Sequence, residues 1–208
     1  MSLKLNSSGG GSVTLQEPTT ASARTLSLPD VNGTVITTAD SGTVTPTMLS
    51  QKLTLATAQN TTSGTSIDFT GIPSWVRRIN VMLNGVSLNG SAQILIQLGT
   101  SSGIESTGYL GASVHAVTGN VVGGASSTAG FILYMNATAN ITAGIATIAT
   151  LGSNVWAMSY CGGLTNTTAA HIGGGNKTLG GTLDRIRITS SNGTDAFDAG
   201  SVNILYEG

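Results

Sequence analysis

The sequence predicts an antiparallel all-β protein, most of it a jelly-roll-like two-sheet sandwich, on three observations. Only 8 Lys+Arg and 9 Asp+Glu occur in 208 residues, so 8% of the chain is charged, where a soluble domain carries about 25%. In their place stand 31 Thr, 24 Ser, 14 Asn and 29 Gly, residues that suit pleated surfaces and turns better than helices. From residue 67 onward, short apolar runs recur between Asn-Gly, Gly-Asn and Gly-Gly pairs, at the spacing of strands in a sandwich.

Taken in order, residues 13–16, 24–28 and 34–37 are three short alternating runs bounded by Pro, Gly or Asn, and read as a β-meander. Leu26 and Leu28 share one side of their strand, and Pro29, Asp30, Asn32 and Gly33 supply the turn before Val35. The segment holds too few large apolar residues to offset its chain entropy alone. Residues 45–53 read as a two-turn helix, with Thr45 as N-cap, Pro46 at the first helical position and Met48, Leu49 and Leu53 as its apolar face. Residues 54–66 read as a Thr-rich connector.

Strands are then expected over residues 75–83, 92–98, 114–117, 130–135, 143–151, 154–160, 181–189 and 201–206, with turns at Asn84-Gly85 and Asn89-Gly90. The runs at 76–81 and 183–188 echo each other; both place alternate apolar residues, Ile79 and Val81 or Ile186 and Ile188, toward a core. The domain boundary expected from this shift in pattern lies after Lys52: residues 1–52 form an anchoring and oligomerisation segment, residues 53–208 a sandwich.

Charge and cysteine content narrow the function. A net charge of -1 without a basic cluster lacks the footprint of a nucleic-acid binder. Cys161 is the chain's one cysteine, so an intrachain disulfide and a cysteine-based zinc site are excluded. Residues 1–11 hold no apolar run of secretory type, and residues 141–151 fall short of a membrane helix; synthesis in a cytoplasm without membrane insertion is expected.

Catalytic chemistry finds little purchase. His115 and His171 lack metal-ligand spacing. Gly173-Gly174-Gly175-Asn176-Lys177-Thr178 departs from a phosphate loop at Asn176 and reads as a flexible loop. Asp195 and Asp198 lie close together in a Gly-flanked segment that reads as a loop, with Ca²⁺ as its conceivable ligand. No cofactor and no metal site are expected. Ring stacking on a glycan has better support, because sugars pack on aromatic faces and hydrogen-bond to Asn, Ser and Thr. The candidate rings are Tyr109, Tyr134 and Trp156; Tyr109, between Gly108 and Gly111, reads as an exposed loop residue, whereas core burial is the default for Trp75 and Trp156.

Residues 11–16 and 24–37, with Arg24-Thr25-Leu26-Ser27-Leu28-Pro29 and Gly33-Thr34-Val35 as their core, resemble a module of tailed-bacteriophage fibre proteins. Residues 67–79 and the ending 193–208 look like the C-terminal domain of phage tail-fibre or virion-surface proteins. The resemblance implies a structural, non-enzymatic virion protein on the particle surface, assembled in the bacterial cytoplasm. It implies a homotrimer held through Leu26, Leu28, Val35, Met48 and Leu49, attached to other virion proteins, with the sandwich facing a host-surface glycan or protein. The chain lacks a long repetitive shaft and the carboxylates of a polysaccharide-degrading spike, so a head fibre or capsid decoration protein is the alternative expectation.

Overall fold

The computed structural model describes residues 3–6, 8–15, 53–117, 122–135, 138 and 140–208. The chain divides into two compact units, Met1–Thr43 and Val44–Gly208. In the first, β1 (Leu3–Asn6) and β2 (Ser12–Leu15) pair antiparallel, Leu3 opposite Leu15. Gly10 at φ 85° turns the chain between them. β2 matches the expected run at 13–16, and β1 was not foreseen. The runs at 24–28 and 34–37, the helix over 45–52 and the expected anchoring residues Leu26, Leu28, Val35, Met48 and Leu49 lie outside the described residues.

The second unit is all-β and antiparallel, with strands β3 (Leu53–Leu55), β4 (Gln59–Asn60), β5 (Ser66–Thr70), β6 (Arg78–Leu88), β7 (Ile94–Thr100), β8 (Gly103–Ile104), β9 (Tyr109–Val117) and β10 (Val122–Ser127). There follow β11 (Phe131–Leu133), β12 (Thr142–Gly152), β13 (Val155–Leu164), β14 (Ala169–Thr178), β15 (Arg185–Ser190) and β16 (Phe197–Glu207). A nine-stranded sheet runs β10-β9-β14-β13-β12-β6-β16-β3, with β4 also on β16; a five-stranded sheet runs β11-β7-β15-β5, with β8 on β7. One apolar core joins them. Ile79, Val81, Ile148 and Ile204 from the large sheet and Ile94, Ile96, Leu98, Ile186 and Ile188 from the small one are fully or almost fully buried in a single cluster. Two antiparallel sheets sharing one such layer make a sandwich.

The strand periodicity explains this placement. β9 alternates buried and exposed over eight residues, and β5 and β15 alternate throughout, the signature of strands with one face in a core. β7 is buried on nearly every residue, because Ile94, Ile96 and Leu98 face the core and the Ala129-Gly130 bend lies against Leu95 and Gln97 on the other side. The echoed pairs Ile79 and Val81, Ile186 and Ile188 all point into the core as expected.

Several local expectations are corrected. Leu53 opens β3 against β16 rather than closing a helix. The connector over 54–66 contains β4 and the first residue of β5. Asn84-Gly85 makes no turn: β6 runs through it, and the irregularity is absorbed as register shifts against β16 and β12. The segment 173–178 is no flexible loop but half of β14, whose ten residues pair with β13 on one side and nine with β9 on the other. Of the Asp195 region, Asp198 lies in β16, while Asp195 caps the Ala92 N–H at 2.8 Å.

Candidate functional site

The three rings singled out as ligand contacts sit in different surroundings. Tyr109 opens β9 with its side chain fully buried, which overturns its reading as an exposed loop residue. Its hydroxyl accepts from the Leu98 N–H at 2.6 Å and donates to the Leu98 carbonyl at 3.3 Å. β11 pairs with β7 only over Ile94, Leu95 and Ile96, so the phenol serves the β7 backbone beyond the end of that ladder. The ring also packs edge-on against Phe131 at 5.1 Å, joining the two sheets. Lys177 Nζ stands 5.3 Å from its centroid while held 2.6 Å from Glu105. Burial pushes the Glu105 carboxyl up, but hydrogen bonds from Lys177 and the Gly180 N–H outweigh it and hold the group below its ordinary value.

Tyr134 is half-buried and stacks on His115, centroids 5.0 Å apart. It belongs to a polar cluster within the sandwich. His171 and His115 are register partners on β14 and β9 and both face inward. His171 Nε2 lies 2.9 Å from Thr142 Oγ1, which lies 2.8 Å from the Tyr160 hydroxyl, and His171 Nδ1 faces the Tyr134 carbonyl at 3.0 Å. Burial pushes His171 below its ordinary pKa and Tyr160 above its own. The two histidines are 56 residues apart in sequence, and only the register of neighbouring strands brings them together. Both ring nitrogens of His171 and the hydroxyls of Thr142 and Tyr160 are engaged with other protein groups, a network that fixes the packing of β9, β12, β13 and β14.

Trp156 lines a cleft of about 510 Å³ at one end of the sandwich. Val76, Trp156 and Leu183, all buried, lie beneath it, and Ser74, Arg77, Ser153, Asn154 and Thr182, all exposed, form its rim. Trp156 is 4% exposed, so its ring belongs to the core as its sequence context suggested and offers no stacking face; its buried indole N–H has no hydrogen-bond partner among the described residues. The rim is set by the β12–β13 hairpin, whose two-residue connection places Ser153 at φ 49° and Asn154 at φ 61°, the left-handed pair of a type I′ turn. Arg77 is pinned by its own Nη1 to the carbonyls of Ser74 and Val76 at 3.0 and 3.1 Å. Hydroxyls, an amide and one fixed guanidinium over an apolar floor suit a neutral or anionic polar ligand. Among the described residues the polar side chains of the lining are those of Ser74, Arg77, Thr150, Ser153, Asn154 and Thr182. Sequence reasoning passed over Arg77 and Thr182, because the loops bearing them meet only when the sandwich closes. The turn pair Ser153-Asn154 between two strand runs was the available signal.

Among the described residues no group of three or more His, Cys, Asp or Glu is placed to hold a metal ion, and no helix is long and apolar enough to cross a membrane. Comparison of the chain with protein-family models, with curated proteins and with solved structures finds no match.

Proposed function

We propose that this protein is a fibre-like structural component of a bacteriophage virion, anchored through its N-terminal unit as a homotrimer and displaying the sandwich toward a host-surface glycan or protein. The observation that carries the reading is the pairing of an N-terminal segment of fibre-module pattern with a separate all-β unit of low charge. Such a unit presents loops on a rigid scaffold, where binding groups concentrate, and the cleft over Val76, Trp156 and Leu183 is the place for a ligand on it.

The test is a cell-adsorption assay in which purified full-length protein competes with intact phage. Competition by the wild type, weakened several-fold by Arg77→Ala with the melting temperature nearly unchanged, is the expected result. Failure of wild-type protein to compete at saturating concentration transfers the role to capsid decoration or a head fibre. Electron microscopy of virions carrying a labelled copy then places it on head or tail.

A further inference from the structure

The outward face of the large sheet is unlike the rest of the surface. Its four strands β9, β14, β13 and β12 turn 19 side chains or glycine positions outward, from Leu110, Ala112, Val114 and Ala116 on β9 to Ala143, Ile145, Thr147, Ala149 and Leu151 on β12, and none is charged or aromatic. The charged or imidazole side chains on these strands, His115, His171 and Lys177, are all buried inward. Across this face the register aligns one row of larger groups: Val114 opposite Ile172, Ile172 opposite Cys161, Cys161 opposite Ile145, and Ile145 opposite Met82 of β6. Val114, Ile172 and Ile145 are 42%, 59% and 51% exposed, and Cys161 is exposed. Small residues flank the row on both sides, Ala112, Gly174, Ser159 and Thr147 in one direction and Ala116, Ala170, Gly163 and Ala143 in the other.

We infer that this face is buried against a second copy of the same sandwich, the apolar ridge of one copy seated along a small-residue strip of the other. Three features favour that occupant. The ridge and its flanking strips, about 7 Å apart along the strands, are complementary to each other, so the face fits itself. Absence of charge leaves nothing to steer or pair with an acidic or basic partner, while two neutral faces meet without an uncompensated charge. Absence of outward rings removes the stacking surface a glycan needs. The area is sufficient as well: four inter-strand spacings from β9 to β6 by eight residues of β9 cover about 19 by 27 Å, or about 500 Å². That is the upper range of patch a monomer exposes, and with the margins on β10 and β16, where Glu207 is ion-paired with Arg78 of β6 at one corner of the face, it reaches about 800 Å² per partner, the size of a stable interface. The assignment is independent of the anchoring role of the N-terminal unit.

Cys161, in the middle of the ridge, reports on this directly. Full-length protein is titrated with Ellman's reagent while light scattering gives its mass. An oligomer whose thiol reacts about tenfold or more slowly than that of Ile172→Arg and of Ile145→Asp, with Ile172→Val keeping the protection, supports the interface, since thiol reactivity follows access. Both charged variants must keep the wild-type circular dichroism; both positions face solvent within one sandwich, so two independent substitutions guard against misfolding of either. An oligomer whose Cys161 reacts at the rate of the variants overturns the inference and leaves the fibre reading standing. A monomer with a protected thiol also overturns it, because the occupant is then a segment of the same chain.

Discussion

Tyr109 and His171 show what single buried side chains contribute here. The Tyr109 hydroxyl accepts from the Leu98 N–H and donates to the Leu98 carbonyl; the Glu105 N–H also donates to that carbonyl at 3.0 Å, so Tyr109→Phe strips the Leu98 N–H of this partner in a dry interior. Loss of about 1 to 3 kcal/mol of unfolding free energy is expected, read as a lower denaturant midpoint at unchanged slope. His171 predicts a pH dependence. Burial holds its folded pKa below the ordinary value of 6.5, against the opposing pull of the Tyr134 and Gly163 carbonyls. The unfolded chain therefore binds the proton first as pH falls, and stability present above pH about 6.5 is lost progressively below it. Melting temperature should decline between pH 7.5 and 5 and decline less in His171→Gln. Glu105, held below its ordinary 4.5, adds a second loss only at more acid pH, so the two limbs separate. Neither role is legible locally: Gly108 and Gly111 around Tyr109 read as loop punctuation, whereas Gly108 at φ 75° turns the chain directly into a core strand.

Among the elements, the β12–β13 hairpin illustrates turn chemistry that the chain uses imperfectly. Ser153 and Asn154 both sit at positive φ, where Asn-Gly is the favoured pair. The double substitution Ser153→Asn, Asn154→Gly should stabilise the protein by about 0.5 to 1 kcal/mol through relieved strain, visible as a small rise in melting temperature without change in the circular dichroism spectrum. β14 is the instructive failure of sequence reading. Gly173, Gly174 and Gly175 suggested a loop, but a Cβ at Gly173 would press on the Ala112 carbonyl and one at Gly175 on the Leu110 carbonyl. These glycines allow close approach of β9 within a sheet. Gly162-Gly163 is a like case: it continues β13 rather than turning it, and a Cβ on Gly162 would collide with the Tyr160 hydroxyl.

At the scale of the molecule, every residue of the shared core among the described residues lies at or beyond Ile67, with Ala56 packed against it. A chain beginning at Leu53 keeps that core and the β3 pairing with β16. It should fold alone, with one cooperative thermal transition; loss of all cooperative unfolding would show that the sandwich depends on the segment before it. On the anchoring reading, the same truncated protein no longer incorporates into particles in a reconstitution assay.

The all-β class, most strand positions and the inward residues of the two echoed strands were legible because alternation of apolar and polar residues is a local property that burial of one face imposes on any strand. Composition likewise marked the scarcity of charge. Which glycines turn the chain and which sit inside a sheet was decided by neighbouring strands, since a missing Cβ serves a sharp bend and a close backbone approach equally well. The meeting of His115 with His171 and the uncharged ridge through Cys161 come from the order β9-β14-β13-β12, and the cleft beside Arg77 from closure of the two sheets. Strand order is a property of long-range pairing, which a linear pattern of period two does not encode.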